Sequence, residues 1–361
     1  MKKCIFLSIL AVATVASCTK SEIIDTNSGN EQIGFHTYLG RDAQTKATEA
    51  TATTIQAPKG GGIGMYGFYT GGNSYVGTEE AKLLTNENLY YDGGWKYEST
   101  RYWTNNSDKY TFLAYAPYGK SYVVASQASG SAPVVEYTVP SVLTNQVDLI
   151  YSNNNKNVTK TSLKNSNGES VTSVPFQFQH ALARLSVNAK AKMYDKTTGA
   201  EVTTPAANQE YDYLFTITNI SITGEFNDKG VLNLSTGAWD SKQALDKTVN
   251  GATTKNTTYD LTGVISTQLD GTPKDFTKGN YLMMIPTTFS STKTAALTIK
   301  YKITYAGATS SEIEKTVYVS TEFLKGNAYA INLTLSRDDS NAISFDVDTV
   351  SGWTDGGSQN L

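Results

Sequence analysis

Cysteine is almost missing from the sequence: the two present, Cys4 and Cys18, lie at its start. Beyond Cys18 there can be no disulfide and no cysteine-based metal site. Histidine is equally scarce, with His36 and His180 alone, too few for the common zinc sites. Charge is sparse as well: Asp, Glu, Lys and Arg make up 17% of the chain, the formal net charge is −3, and there is no Lys/Arg block. A nucleic-acid partner would need a basic footprint, so none is expected. After residue 16 no apolar run approaches the ~18–20 residues of a membrane-spanning helix. Long helical periodicity is absent, and the best helical candidate is a short one near 79–89.

What is present begins with a leader. Lys2 and Lys3 precede an apolar run from Ile5 to Ala16, the charge and hydropathy pattern of a secretory signal peptide over 1–17. The run ends Val15-Ala16-Ser17-Cys18, which resembles the lipobox of bacterial lipoproteins. That resemblance implies cleavage before Cys18 and a lipid on its thiol, anchoring the chain in the outer membrane. Polar residues 19–31 then read as a tether.

The rest is β-like in composition. The chain carries 23 Tyr and 29 Gly, with many Thr and Val, and Tyr, Thr and Val suit a half-buried pleated surface. Ile33, Phe35, Thr37 and Leu39 alternate on one face of a first strand. Residues 42–59 read as an exposed linker. Strands are expected at 63–69, 110–117, 134–139 and 147–151, with a long polar loop over 152–173. Phe176, Phe178 and His180 are in phase, whereas Ala183, Leu185, Val187 and Ala189 alternate in the opposite phase. A phase change inside one run implies a bulge or a crossing between sheets, and a domain boundary is placed there: 47–178 and 179–361. Further strands are expected at 214–222 and 296–305, the latter with Leu297, Ile299, Tyr301, Ile303 and Tyr305 inward and 312–319 as its hairpin partner. Strands at 330–335 and 343–350 end the chain. Ile343, Phe345, Val347 and Thr349 share a face and repeat the Ile-x-Phe spacing of Ile33 and Phe35. Many short strands with turn signals between them argue for sandwiches or barrels.

Chemical motifs are few. Gly62-Ile-Gly-Met-Tyr-Gly67 matches G-x-G-x-x-G, but no helix signal follows it, so a glycine-rich strand is the reading. Each histidine lies in an alternating strand and reads as packed or at an edge. Paired carboxylates suffice for glycosidase chemistry, and with 33 acidic residues their presence decides nothing. Trp95, Tyr97, Tyr102 and Trp103 form the densest aromatic group and read as core and turn packing. Arg41 and Lys46 offer trypsin-like cleavage points in the linker. No small-molecule cofactor is indicated, and no enzyme class is.

Several segments, in order, resemble the fimbrillin-like lipoproteins of Bacteroidota, the type V pilins. They are Arg101-Tyr-Trp-Thr with Tyr110-Thr-Phe-Leu-Ala-Tyr-Ala-Pro117, Val147-Asp-Leu-Ile-Tyr-Ser152, and Phe178-Gln-His-Ala-Leu-Ala-Arg-Leu185. Tyr281-Leu-Met-Met-Ile-Pro286, Leu324-Lys-Gly-Asn-Ala-Tyr329 and Val350-Ser-Gly-Trp353 follow. The resemblance implies an all-β fold of two tandem transthyretin-like β-sandwiches of Greek-key type. It implies a subunit of a surface fimbria serving adhesion, with other pilin subunits and a trypsin-like protease as partners and a host or glycan ligand as a further one. It also implies a route: cleavage after Lys46, or after Arg41, removes the strand Ile33–Leu39. A donor strand carrying Ile343, Phe345, Val347 and Thr349, with Trp353 at its end, then fills the groove of the next subunit. The other readings are a non-polymerising surface lipoprotein that binds glycan or host protein, and a surface hydrolase.

Overall fold

The structure is a computed structural model and describes residues 31–39, 55–79, 83–165, 167–203, 210–262, 267–277, 280–337 and 343–350, with backbone alone for 38, 39 and 343–350. Cys18, Arg41, Lys46 and Trp353 lie outside the described residues. Strands of four residues or more are numbered in chain order. The first half holds β1 (Gly34–Leu39), β2 (Ile63–Gly71), β3 (Leu84–Tyr91), β4 (Lys109–Ala116), β5 (Val123–Ser126), β6 (Val134–Thr138), β7 (Ile150–Val158) and β8 (Ser173–His180). The second holds β9 (Ala183–Ala191), β10 (Leu214–Gly224), β11 (Lys229–Asn233), β12 (Trp239–Gln243), β13 (Thr257–Asp260), β14 (Ala295–Tyr305), β15 (Ile313–Val319), β16 (Ala328–Leu335) and β17 (Ile343–Val350). The fold is all-β, as its composition predicts.

One seven-stranded sheet runs β1-β8-β7-β4-β2-β3 and ends on the short strand Trp95–Lys96. It curls on itself, so that Phe35 at one edge meets Tyr97 just past the other. Strands β2 and β4 are covered on both faces, which is why they read as nearly continuous apolar runs. Ile63, Met65, Tyr110, Phe112 and Ala114 face a first core inside the curl. Tyr66, Phe68, Leu113 and Tyr115 face a second, larger core that continues into the second half. The glycines of the G-x-G-x-x-G match serve this packing: a Cβ on Gly64 would lie 2.3 Å from the Tyr115 ring. The segment is a strand, not a phosphate loop.

The second half is a sandwich of β9-β16-β17 against β13-β10-β14-β15. Its β15 is the antiparallel partner of β14, as expected. The phase change after Phe178 is a crossing between sheets: β8 ends at His180 in the first sheet and β9 starts at Ala183 in another. A fourth sheet, β12-β11-β6-β5, pairs β6 from the first half with β11 from the second.

Four local expectations differ from the structure. Leu84–Tyr91 is a strand rather than a helix, because Leu84 and Leu89 are buried in the first core while the segment pairs with β2. The polar stretch 152–158 is not a loop but most of β7. There the amides of Asn154 and Asn155 donate to the Pro175 carbonyl of β8 at 3.0 and 2.8 Å, linking the strands beyond their backbone pairs at Ile150 and Tyr151. Ile55, in the presumed linker, is buried in the first core. Tyr305, expected inward, is 48% exposed at a hairpin end and stacks on Tyr213.

Candidate functional site, the inserted first strand

The sequence places Ile33 and Phe35 on one face of β1, and both are buried, at 0% and 6% exposure. Phe35 sits in a box of three rings. Phe176 stacks on it with ring centroids 5.5 Å apart, while Tyr97 and Phe112 make T-shaped pairs with it at centroid distances of 5.2 and 5.3 Å. Thr37 is half-buried, and of Leu39 only the backbone is described.

The main chain of this segment is held on both sides. Along one edge β1 runs parallel to β8 in continuous register from Gly34↔Ser173 to Leu39↔Phe178. Along the other, residues 97–103 form a strap over its start. The Ile33 N–H donates to the Arg101 carbonyl at 2.8 Å, and the Trp103 N–H donates to the Glu31 carbonyl at 2.9 Å. The Tyr97 hydroxyl donates to the Ile33 carbonyl at 2.8 Å and accepts from the Arg101 N–H at 3.1 Å. Burial raises the Tyr97 phenol above its ordinary pKa, so it stays a neutral donor. Trp103 backs the strap from the core, edge-on to Tyr110 at 4.8 Å. Lys160 pairs with Glu31 at 2.8 Å just ahead of the strand.

Each histidine has a packing role. His36 Nδ1 bonds the Ser173 hydroxyl at 2.7 Å across the β1–β8 pair, and burial lowers its pKa. No carboxylate partner for His36 occurs among the described residues. His180 Nδ1 meets the fully buried Asp148 at 2.5 Å where the two halves join. Of the aromatic group, Tyr97 and Trp103 are core and Tyr102 is 42% exposed.

Four of the segments that carry the family resemblance, 147–152, 178–185, 281–286 and 324–329, gather at that junction. Ala181 donates its N–H to Leu149, and the Ala181 carbonyl accepts from the Trp239 indole at 2.9 Å. Gly326 bonds Leu182, and Arg184 bonds Asn327. Leu282 pairs with Leu185, and the Met283 N–H donates to the buried Gln146 side chain at 2.8 Å. Lys325 Nζ donates to the Tyr151 hydroxyl and to the Gly237 carbonyl, both at 2.6 Å.

The two terminal strands are far from equivalent in their settings. The backbone of β17 pairs antiparallel with β16, from Ala328↔Val350 to Leu335↔Ile343, at the end of the second-half sheet. β1, by contrast, completes the core of the first half. Of the residues that build the seat of β1, Arg101 and Phe112 lie in segments that carry the family resemblance, whereas Ser173 and Phe176 lie in none. Tyr97 was visible only as a member of a dense aromatic group.

Fold and site together define an all-β protein whose first described strand is wedged into a core built by later strands. The chain matches the fimbrillin-like family over residues 45–353 and belongs to that family. It is 25% identical to the fimbrium subunit Fim1C of Phocaeicola vulgatus, over 97% of this chain and 96% of that protein. Its fold is similar to the crystal structure of a fimbrial protein from Bacteroides vulgatus, with a TM-score of 0.61, 20% identity, and coverage of 90% and 99% of the two chains.

Proposed function

We propose that this chain is a stalk subunit of a cell-surface fimbria that polymerises by exchanging its first strand for the C-terminal strand of another copy. The observation that carries the reading is the setting of β1. Its main chain pairs with β8 along its whole length, the strap holds residues 31–33 just ahead of it, and Ile33 and Phe35 are in the core, yet it is followed at once by two trypsin-like sites, Arg41 and Lys46. Removing such a strand exposes an apolar groove and unpaired backbone groups. An incoming strand restores both by β-addition. Such an assembly is head-to-tail and does not close on itself.

In this reading Cys18 carries the lipid that brings the precursor to the outer membrane, and a trypsin-like surface protease cuts after Lys46 or Arg41. The segment 343–353 is then the donor, with Ile343, Phe345, Val347 and Thr349 on its inserted face and Trp353 at its end. The two sandwiches divide near residue 179, and adhesion follows from display of the filament.

Phe345→Ala tests this directly. Its side chain would fill the box now filled by Phe35, and truncating a buried Phe costs about 3–5 kcal/mol. Filaments assembled from the variant are expected to be short or absent in electron micrographs while the secreted monomer stays folded. Filaments of normal length would contradict the donor role.

A further inference from the structure

Between β3 and the loop that follows β4 lies a polar cavity of about 540 Å³, within the range of about 300–1,000 Å³ usual for small-molecule sites. Asn86, Glu87 and Tyr90 of β3 line it together with Tyr118, and the exposed ion pair of Lys59 and Glu98 completes the lining. None of these residues lies in β1 or β17. Successive residues of a strand ordinarily face opposite ways, yet the neighbours Asn86 and Glu87 both reach this cavity. The cause is a bulge: the β2–β3 register shifts from Met65↔Glu87 to Gly67↔Leu84, so that Tyr66 alone stands opposite Thr85 and Asn86. A bulge bends its strand and re-aims a side chain.

Each of the two side chains is fixed at one end and open at the other. Asn86 sits in the left-handed region, at φ 48°, which Asn tolerates better than most residues. Its side-chain oxygen accepts from the Tyr115 hydroxyl at 2.9 Å, while its amide N–H groups meet no acceptor among the described residues. One Glu87 carboxylate oxygen accepts from the Glu98 and Ser99 N–H groups, both at 3.1 Å, and the other accepts from no described residue. Tyr118 is anchored through its own N–H, which donates to the Gly62 carbonyl at 2.9 Å.

We propose that this cavity binds a neutral sugar. A sugar ring offers a C–H face to aromatic side chains, and its adjacent hydroxyls donate and accept at once. Here an open amide donor and an open carboxylate acceptor stand on neighbouring residues, with the rings of Tyr90 and Tyr118 in the same cavity. The charges select against an acidic sugar. Lys59 is neutralised by Glu98, and Glu87 has no cation partner among the described residues, so an anionic ligand meets like charge. The site goes beyond the exchange reading and does not depend on it, since it uses neither terminal strand.

An array of neutral and acidic oligosaccharides, probed with a dilution series of the purified full chain, tests this. Neutral sugars are expected to bind, with sialylated and uronic-acid sugars about tenfold weaker or more. Glu87→Gln keeps an acceptor for the two N–H groups and turns the open oxygen into an amide. It is expected to weaken neutral-sugar binding about tenfold, the scale of a hydrogen bond to a charged group, and to narrow the gap to acidic sugars. Asn86→Asp keeps the acceptor for Tyr115 and suits the left-handed backbone, but removes the donor, and a loss of about tenfold is expected again. Tyr318→Ala, at an exposed tyrosine of the second half, is expected to leave binding unchanged. No neutral sugar bound, or neutral-sugar binding unchanged in both cavity variants, would overturn the site. Acidic sugars bound as tightly as neutral ones would overturn the ligand class. None of these results bears on strand exchange.

Discussion

Phe35 has a seat of three rings, and edge-to-face pairs of this kind each add about 0.5–1.5 kcal/mol beyond the area they bury. Next to it, His36 sits on the opposite face of β1, half-buried and bonded to Ser173. Burial favours its neutral form, lowering its pKa from the usual 6.5. The sign follows from linkage: the unfolded or undocked strand binds the proton more readily. The hold on β1 is therefore complete above pH 6.5 and weakens as pH falls below it. Hydrogen exchange of the β1 amides is expected to quicken, relative to the rest of the sheet, between pH 7.5 and pH 5.5. In His36→Gln that difference should vanish; its persistence would place the titrating group elsewhere. The shared inward face of Ile33 and Phe35 was legible in the sequence, but the seat was not. Tyr97, Phe112 and Phe176 come from three separate segments that only the curl of the sheet brings together.

Strands with clean alternation, such as β14, and the crossing from β8 to β9 were legible because a period of two leaves a phase that can be followed. Strands β3 and β7 were not. In β3 the two buried leucines, Leu84 and Leu89, are five residues apart, which fits neither the period of a strand nor that of a helix, and it is pairing with β2 that makes the segment a strand. In β7 the asparagines look like loop residues, whereas their amides donate to the Pro175 carbonyl beyond the point where the β7–β8 backbone pairs end. Asn155 is 3% exposed, so Asn155→Ala removes a buried donor and is expected to destabilise the first half by about 1–3 kcal/mol. Denaturant midpoints measured by Trp fluorescence check this. A change under about 0.5 kcal/mol, the level of an ordinary surface substitution, would show that the amide bond is dispensable.

The two halves share more than a linker. β6 pairs with β11 across them, and the second core takes side chains from both, including Tyr66, Leu113 and Tyr151 with Leu185 and Leu282. Unfolding is accordingly expected to be one transition, with fluorescence of the first-half Trp103 and far-UV circular dichroism coinciding along a denaturant series. Two separated transitions would contradict a shared core. Four of the family-like segments are bonded to one another at the junction of the halves. What the exchange account asks to leave is β1, which β8 and the strap hold from two sides, and what it asks to arrive is a strand from another copy.

The N-terminus of the chain inside assembled filaments tests that account most directly. Filaments sheared from the native cells and analysed by mass spectrometry are expected to contain chains beginning at Ala47, or at Asp42 if Arg41 is the point of cleavage. Chains that begin at a lipidated Cys18 and retain Ile33 to Leu39, or filaments from which this chain is absent, would contradict it.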